Sequence, residues 1–106
     1  MREISERERE RYQRNLLVDG FGKQGQSRLL ESRVTVVGAG GLGSAVLNYL
    51  VAAGVGRIRI VESDTVSPSN LQRQVLYTTA EIGAPKAEAA AARLSRLNPG
   101  CRLEIV

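Results

Sequence analysis

The residue types best suited to chemistry gather in one stretch of this chain. Gly38-Ala39-Gly40-Gly41-Leu42-Gly43 follows the β-branched run Val34-Thr35-Val36-Val37 and opens an apolar segment of helical length. Glycines spaced G-x-G-x-x-G between a strand and a helix permit a tight turn. They also let phosphate oxygens approach backbone N–H groups at a helix N-terminus, where the dipole favours anions. Glu62 stands about twenty residues past the loop, at the end of the next strand, where an acid accepts hydrogen bonds from ribose hydroxyls. Gly38, Gly40, Gly41, Gly43 and Glu62 are therefore candidate nucleotide contacts. Asp64 reads equally as a second ribose or metal contact and as a turn aspartate. NAD, FAD and ATP are not distinguished by these residues.

The next polar positions discriminate. Ser67-Pro68-Ser69-Asn70-Leu71-Gln72-Arg73-Gln74 is followed by Gly83-Ala84-Pro85-Lys86. A hydride-transfer enzyme has no need of a fixed arginine and lysine beyond the second strand. An enzyme that attacks the α-phosphate of a triphosphate does, because negative charge builds on the departing pyrophosphate. Each position also has a plainer reading: Asn70 as a turn cap, Arg73 and Lys86 as surface charges. Lys86 after Pro85 falls at a helix N-terminus, where a cation is disfavoured by a few tenths to about 1 kcal/mol. A bound polyphosphate would account for it. The chain has no histidine and one cysteine, Cys101, so histidine-base chemistry and a multi-cysteine metal site are absent from this stretch.

The positioning elements follow from the pattern. Ser5 and Glu8 fit a capping box at the start of a helix running to about Val18, with Glu10 and Arg14 as an i,i+4 pair. Its arginines point several ways and are expected to be mostly solvated. Gly20, Gly22 and Gly25 predict a turn, and Gln26 to Ser32 a short helix. Val34–Val37 predicts a buried parallel strand, and an apolar helix from about Leu42 to Ala53 ends at Gly54. Arg57 to Val61 predicts the second strand. Ser63 to Thr79 shows no obvious regular element. A helix from about Pro85, suited to its first position, runs to Leu97 and is ended by Asn98-Pro99-Gly100. Arg102 to Val106 then predicts a third strand. The fold class is α/β, a Rossmann-like parallel sheet in its first βαβαβ half, preceded by N-terminal helices. The expected division is a helical segment, 1–32, and a nucleotide-binding half-domain, 33–106. Tyr12, Tyr49 and Tyr77 are assigned to packing and Cys101 to the core.

A chain of 106 residues with 42% hydrophobic and 25% charged content is at most one small globular domain. No apolar run approaches a membrane span and the N-terminus is alternately charged, which predicts a cytoplasmic protein without membrane partners. The net charge of +4 admits an anionic partner, but four aromatic residues and interleaved glutamates give little to a nucleic-acid platform, and none is expected.

Over nearly its whole length the sequence resembles the ThiF/MoeB/HesA-type adenylyltransferases, relatives of the ubiquitin-activating enzymes. The matches run in order: Arg11-Tyr12-Gln13-Arg14, Gly38 to Gly43, Ser69-Asn70-Leu71-Gln72-Arg73-Gln74, Lys86 and Leu97-Asn98-Pro99. The resemblance implies Mg2+ and ATP as cofactors. It implies a ubiquitin-like sulfur-carrier protein (ThiS/MoaD-like) as partner, whose terminal glycine carboxylate is adenylated. It places Gly40, Gly41 and Gly43 on phosphates or adenosine, Glu62 on the ribose, and Asn70, Arg73 and Lys86 on the triphosphate. Arg14 matches an arginine that reaches into the neighbouring site of a homodimer. Two departures stand out. The family usually has Asp where this chain has Glu62, whose longer side chain must fold back. The family's later magnesium-binding Asp, zinc-binding cysteine pairs and carrier-docking elements have no counterpart in these residues, so the resemblance is to the N-terminal part only, an excerpt or truncation. A non-catalytic nucleotide-binding or dimerisation module, and half of an NAD/FAD-binding oxidoreductase, remain the alternatives.

Overall fold

The computed structural model describes residues 2–106. Three N-terminal helices, α1 (Glu6–Arg11), α2 (Gln13–Leu16) and α3 (Gly22–Glu31), lead into β1 (Arg33–Val37). Then follow α4 (Gly41–Ala53), β2 (Arg57–Val61), α5 (Lys86–Leu97) and β3 (Arg102–Ile105). The three strands are parallel in the order β1-β2-β3, with Val36 opposite Ile60 and Ile60 opposite Ile105. This is the expected βαβαβ unit, and each crossover is a helix because parallel neighbours cannot be joined by a hairpin.

The strand period of two sorts the sheet into unlike faces. Val34, Val36, Ile58, Ile60 and Leu103 point toward α4 and α5 and join Leu47, Val51, Ala90 and Leu94 in one core. Full burial of a side chain such as Leu47 or Ile60 stabilises by about 1.5–3 kcal/mol. The opposite face carries Arg33, Thr35, Val37, Arg59 and Arg102, all exposed, so β1 is buried on one side only rather than throughout. Arg57 and Arg59 both pair with Glu104 there, at 3.2 and 3.3 Å.

The N-terminal helices differ from expectation at two points. Ser5 and Glu8 form the capping box, but the helix breaks at Tyr12, and Glu8 pairs with Arg2 at 2.7 Å. No Glu10–Arg14 ion pair forms among the described residues, since the break removes the i,i+4 geometry between them. Gly22 and Gly25 lie inside α3 rather than in a turn. The Phe21 ring packs across Gly25 so closely that a Cβ there would collide with it, which is why the helix carries glycine.

Side chains from this segment close the C-terminal end of α4. Its last carbonyls lack intrahelical partners. The Ala53 carbonyl accepts from Gln26 Nε2 (3.0 Å) and Asn15 Nδ2 (3.3 Å), and the Val51 carbonyl accepts from Asn98 Nδ2 (2.9 Å). Asn98 Nδ2 also donates to the Tyr12 hydroxyl at 2.7 Å. Gly54 ends α4 in the left-handed region at φ 105° with the Tyr12 ring against it. Of the three tyrosines assigned to packing, Tyr12 and Tyr77 are buried. Tyr49 is 78% exposed, because it falls on the outer face of α4. Cys101 is buried in the core as expected, and burial pushes its thiol up.

Gly56 enters β2 directly against α3. Its N–H donates to the Leu29 carbonyl at 3.0 Å, and a Cβ would overlap the Leu30 carbonyl oxygen. Gly56→Ala should therefore destabilise the chain by about 1–3 kcal/mol through overpacking. A urea melt with an unchanged midpoint would contradict this reading of the α3–β2 junction.

Candidate nucleotide site

At the carboxyl end of β1, Gly38 adopts φ 92° and its N–H donates to the Val61 carbonyl at 2.8 Å, extending the strand pairing by one residue before the turn. The loop then runs so close to itself that a Cβ on Gly43 would overlap the Gly38 carbonyl oxygen. Gly40 is the N-cap of α4, and no side chain caps the first turn. The leading N–H groups of the helix are thus left for an anion.

The residue between these glycines is held from both sides. Glu62 Oε1 accepts the Ala39 N–H at 2.7 Å, and the Tyr77 hydroxyl donates to the Ala39 carbonyl at 2.7 Å. Burial first, then the charges of Glu62 and Glu81, push the Tyr77 phenol up, so it stays a protonated donor at neutral pH. Tyr77 therefore shapes the glycine loop, beyond the packing role its sequence context suggests.

Glu62 does fold back, as its length requires. Its Oε2 accepts from the Ser63 and Asp64 N–H groups, each at 3.0 Å. Burial opposes ionisation of this carboxyl, but the three backbone donors and the charge of Lys86 outweigh it, leaving the group below the usual carboxylate range. Three of the roughly four lone-pair sites of a carboxylate are filled, which leaves about one for a ribose hydroxyl. Asp64 is exposed beside it.

Lys86 is brought here by a local bridge the sequence did not reveal. The Lys86 N–H donates to the Asp64 carbonyl (2.8 Å), Thr65 and Pro85 pair as an antiparallel bridge, and the Val66 N–H donates to the Ala84 carbonyl (2.9 Å). Pro85 is consequently the N-cap of α5 and Lys86 its first residue. Lys86 is only 5% exposed, yet it has no acidic partner within ion-pairing distance among the described residues. It is a buried cation at the positive end of a helix. Its backbone bond to Asp64, two residues past Glu62, is what brings it to this site.

The stretch read as irregular, Ser63 to Thr79, contains one short 3-10 turn, Pro68–Asn70, and a second, Thr79–Glu81, begins at its last residue. Asn70 Oδ1 accepts from the Ser67 N–H (3.1 Å) and hydroxyl (3.0 Å), so its oxygen does cap a turn. Arg73 is exposed and donates to the Ser69 carbonyl at 3.2 Å. Its Cδ and Nε lie 3.9 Å from where a Gly41 side chain would begin. Gln74, to which no role was given, is 3% exposed with Nε2 at 3.5 Å from the corresponding point on Gly40. The missed signal is a long polar residue between an exposed arginine and the apolar Val75-Leu76-Tyr77.

Gly38, Gly40, Gly41, Gly43, Glu62, Arg73 and Lys86 thus share one end of the sheet, with Asn70 and Asp64 in the segments that carry them. Arg14 does not join them. Its neighbour Asn15 is bonded to Ala53 at the far end of the 13-residue α4, about 20 Å away at 1.5 Å per residue. Among the described residues no group of three or more His, Cys, Asp or Glu is placed to hold a metal ion, and no helix is long and apolar enough to cross a membrane.

Known proteins share this fold. The ThiF family profile matches residues 12–106. A sulfur carrier protein adenylyltransferase from Thermus thermophilus is 57% identical over 97 residues, covering 92% of this chain and 36% of that protein. The Escherichia coli molybdopterin-synthase adenylyltransferase is 50% identical over 99 residues, covering 93% and 40%. The solved E. coli tRNA N6-threonylcarbamoyladenosine dehydratase TcdA in complex with ATP superposes with a TM-score of 0.89 at 31% identity, covering 97% of this chain and 42% of that one. The chain thus spans about two fifths of these proteins' length.

Lys86→Met should leave the chain folded, with its thermal midpoint unchanged or raised, because a buried unpaired charge is replaced by apolar volume. It should also move the Glu62 carboxyl back up toward its ordinary value. Glu62 is more acidic folded than unfolded, so its stabilising contribution is present above the unfolded pKa and is lost as pH falls through the folded one. An NMR titration in which Glu62 titrates identically in both proteins would refute the coupling.

Proposed function

Because the chain belongs to the ThiF family, we propose that it is the nucleotide-gripping part of an ATP-dependent adenylyltransferase. Its substrate is the C-terminal glycine carboxylate of a ubiquitin-like sulfur-carrier protein. The observation that carries this reading is Lys86: a nearly buried lysine with no ion-pair partner among the described residues, set at a helix N-terminus and bonded through its N–H to Asp64, two residues past the Glu62 that holds the glycine loop. A dinucleotide already held on α4 gives such a charge nothing to do, whereas a triphosphate losing pyrophosphate needs it.

In this mechanism the α4 N-terminus and the glycine loop hold the nucleotide, with Glu62 on the ribose. The carrier carboxylate oxygen attacks the α-phosphorus and the bond to the bridging oxygen of the β-phosphate breaks. The products are an acyl-adenylate and pyrophosphate, and Arg73 and Lys86 stabilise the charge that leaves with the latter. Asn70, its oxygen committed to the Ser67 turn, offers its amide N–H groups to the phosphates. Asp64, exposed beside Glu62, is the carboxylate that would contact a Mg2+ ion carried by the triphosphate, and the ion would offset phosphate charge there.

Arg14 acts, on this reading, in the second copy of a homodimer. About 20 Å separates its end of α4 from the glycine loop, more than an arginine side chain spans, so it cannot serve its own nucleotide. The outer face of α4 carries Leu42, Val46 and Tyr49 exposed at helical spacing, an apolar stripe suited to a second copy. Residues 1–32 then form an arm that carries Arg14 across, and 33–106 the half-domain that holds the nucleotide. A cytoplasmic location fits this chemistry.

ATP–pyrophosphate exchange by the complete protein with its carrier tests the proposal. Arg73→Ala should lower exchange by about 10²-fold or more. Mixing inactive Arg14→Ala and Arg73→Ala subunits should restore part of the activity, since a hybrid dimer keeps one intact site. ATP binding without any exchange would mark a non-catalytic module, and a clear preference for NAD over ATP would overturn the nucleotide assignment.

A further inference from the structure

The segment that carries Arg14 is too short to hold itself. α2 has four residues, and isolated helices below about 12–15 residues are marginal in water. No side chain caps its N-terminus. Its geometry must come from outside, and two side chains supply it.

Tyr12, the N-cap of α2, is the first anchor. Its ring packs against Gly54, and its hydroxyl accepts from Asn98 Nδ2 at 2.7 Å. Asn15 is the second. Its Nδ2 carries two protons and donates to Gln26 Oε1 at 2.9 Å and to the Ala53 carbonyl at 3.3 Å. Gln26 is fully buried and itself donates to the Ala53 carbonyl at 3.0 Å. Tyr12, Asn15 and Gln26 thus converge on the Ala53–Gly54 corner that ends α4. Arg14 stands between the two anchors, its own side chain exposed and without an ion-pair partner among the described residues. Arg2 and Arg11, by contrast, are committed within the chain, Arg2 to Glu8 and Arg11 to the Leu97 carbonyl.

We propose that Asn15 is the positioning residue of Arg14. By fixing α2 to the C-terminal corner of α4, it sets where the guanidinium is presented to the second copy of the chain. The inference rests on the homodimer reading above and adds to it the residue that aims the arm. The physical gain is preorganisation. An arginine on a frayed turn would sample many positions, whereas one on a pinned turn loses less freedom when it meets the partner's nucleotide. Asn15 touches no nucleotide itself, because its amide is spent within its own subunit.

ATP–pyrophosphate exchange by mixed dimers of the complete protein, with its carrier, tests this. Asn15→Ala should lower kcat by about 10-fold to 10²-fold, the cost of a displaced catalytic group, with the KM for ATP unchanged. Mixing Asn15→Ala with Arg73→Ala subunits should restore part of the activity. Mixing it with Arg14→Ala subunits should not, because both lesions then fall on the same contribution. Tyr12→Phe, which keeps the ring and removes only the hydroxyl, should show the same pattern to a smaller degree, and it carries the comparison if Asn15→Ala fails to fold. Wild-type exchange in both variants, a raised KM for ATP with kcat unchanged, rescue by Arg14→Ala subunits, or rescue by neither would overturn the inference alone. If Arg14→Ala and Arg73→Ala subunits do not rescue each other, the homodimer reading falls, and this inference with it.

Discussion

The Ala39 peptide is held on one side by the Glu62 carboxylate and on the other by the Tyr77 hydroxyl, both at 2.7 Å. This clamp joins three parts of the chain that are distant in sequence: the glycine loop after β1, the end of β2, and the segment that carries Asn70, Arg73 and Gln74. A hydrogen bond to a charged group contributes about 1.5–3 kcal/mol, a large share of the stability of a small domain. The clamp adds to the Gly38–Val61 hydrogen bond and the close approach of Gly43 to Gly38 in holding the glycine loop in shape. Despite burial, the three backbone donors, with a smaller contribution from the charge of Lys86, also hold the Glu62 carboxyl below the usual carboxylate range.

The two ends of α4 are treated in opposite ways, and that asymmetry is the physical basis of the site. Its C-terminal carbonyls are satisfied by Asn15, Gln26 and Asn98, side chains drawn from the N-terminal helices and from the end of α5. Its N-terminal N–H groups have no side-chain cap. Spending three polar side chains on one end while leaving the other open makes sense where the open end meets a ligand. The same construction separates Arg14 from the glycine loop by the length of the helix.

Much of the fold was legible because its signals are local. Gly54 ends α4, Arg57 to Val61 pairs as read, and Ser5 with Glu8 caps α1. The misreadings share a physical cause: each depends on a neighbour remote in sequence or on a local break. Gly22 and Gly25, which read as a turn, lie inside α3, with the Phe21 ring packed across Gly25. The outward face of β1 is exposed because no described element covers it, which a β-branched run does not disclose. Tyr49 reads as core by type but lies on the wrong side of α4. In the site, the glycines, Glu62, Arg73 and Lys86 were legible from residue type and order. Tyr77 was not, because its hold on Ala39 depends on where the 67–77 segment folds back against the loop, and no period or spacing records that.

The central claim is that one triphosphate joins the glycine loop to the Asn70–Gln74 segment and to Lys86. Amide chemical shifts of the chain titrated with ATP test this most directly. The account predicts that Gly40, Gly41, Gly43, Arg73 and Lys86 move together along one binding curve, and that NAD does not reproduce the response. Shifts confined to Gly38–Gly43, with Arg73 and Lys86 unmoved, would contradict it.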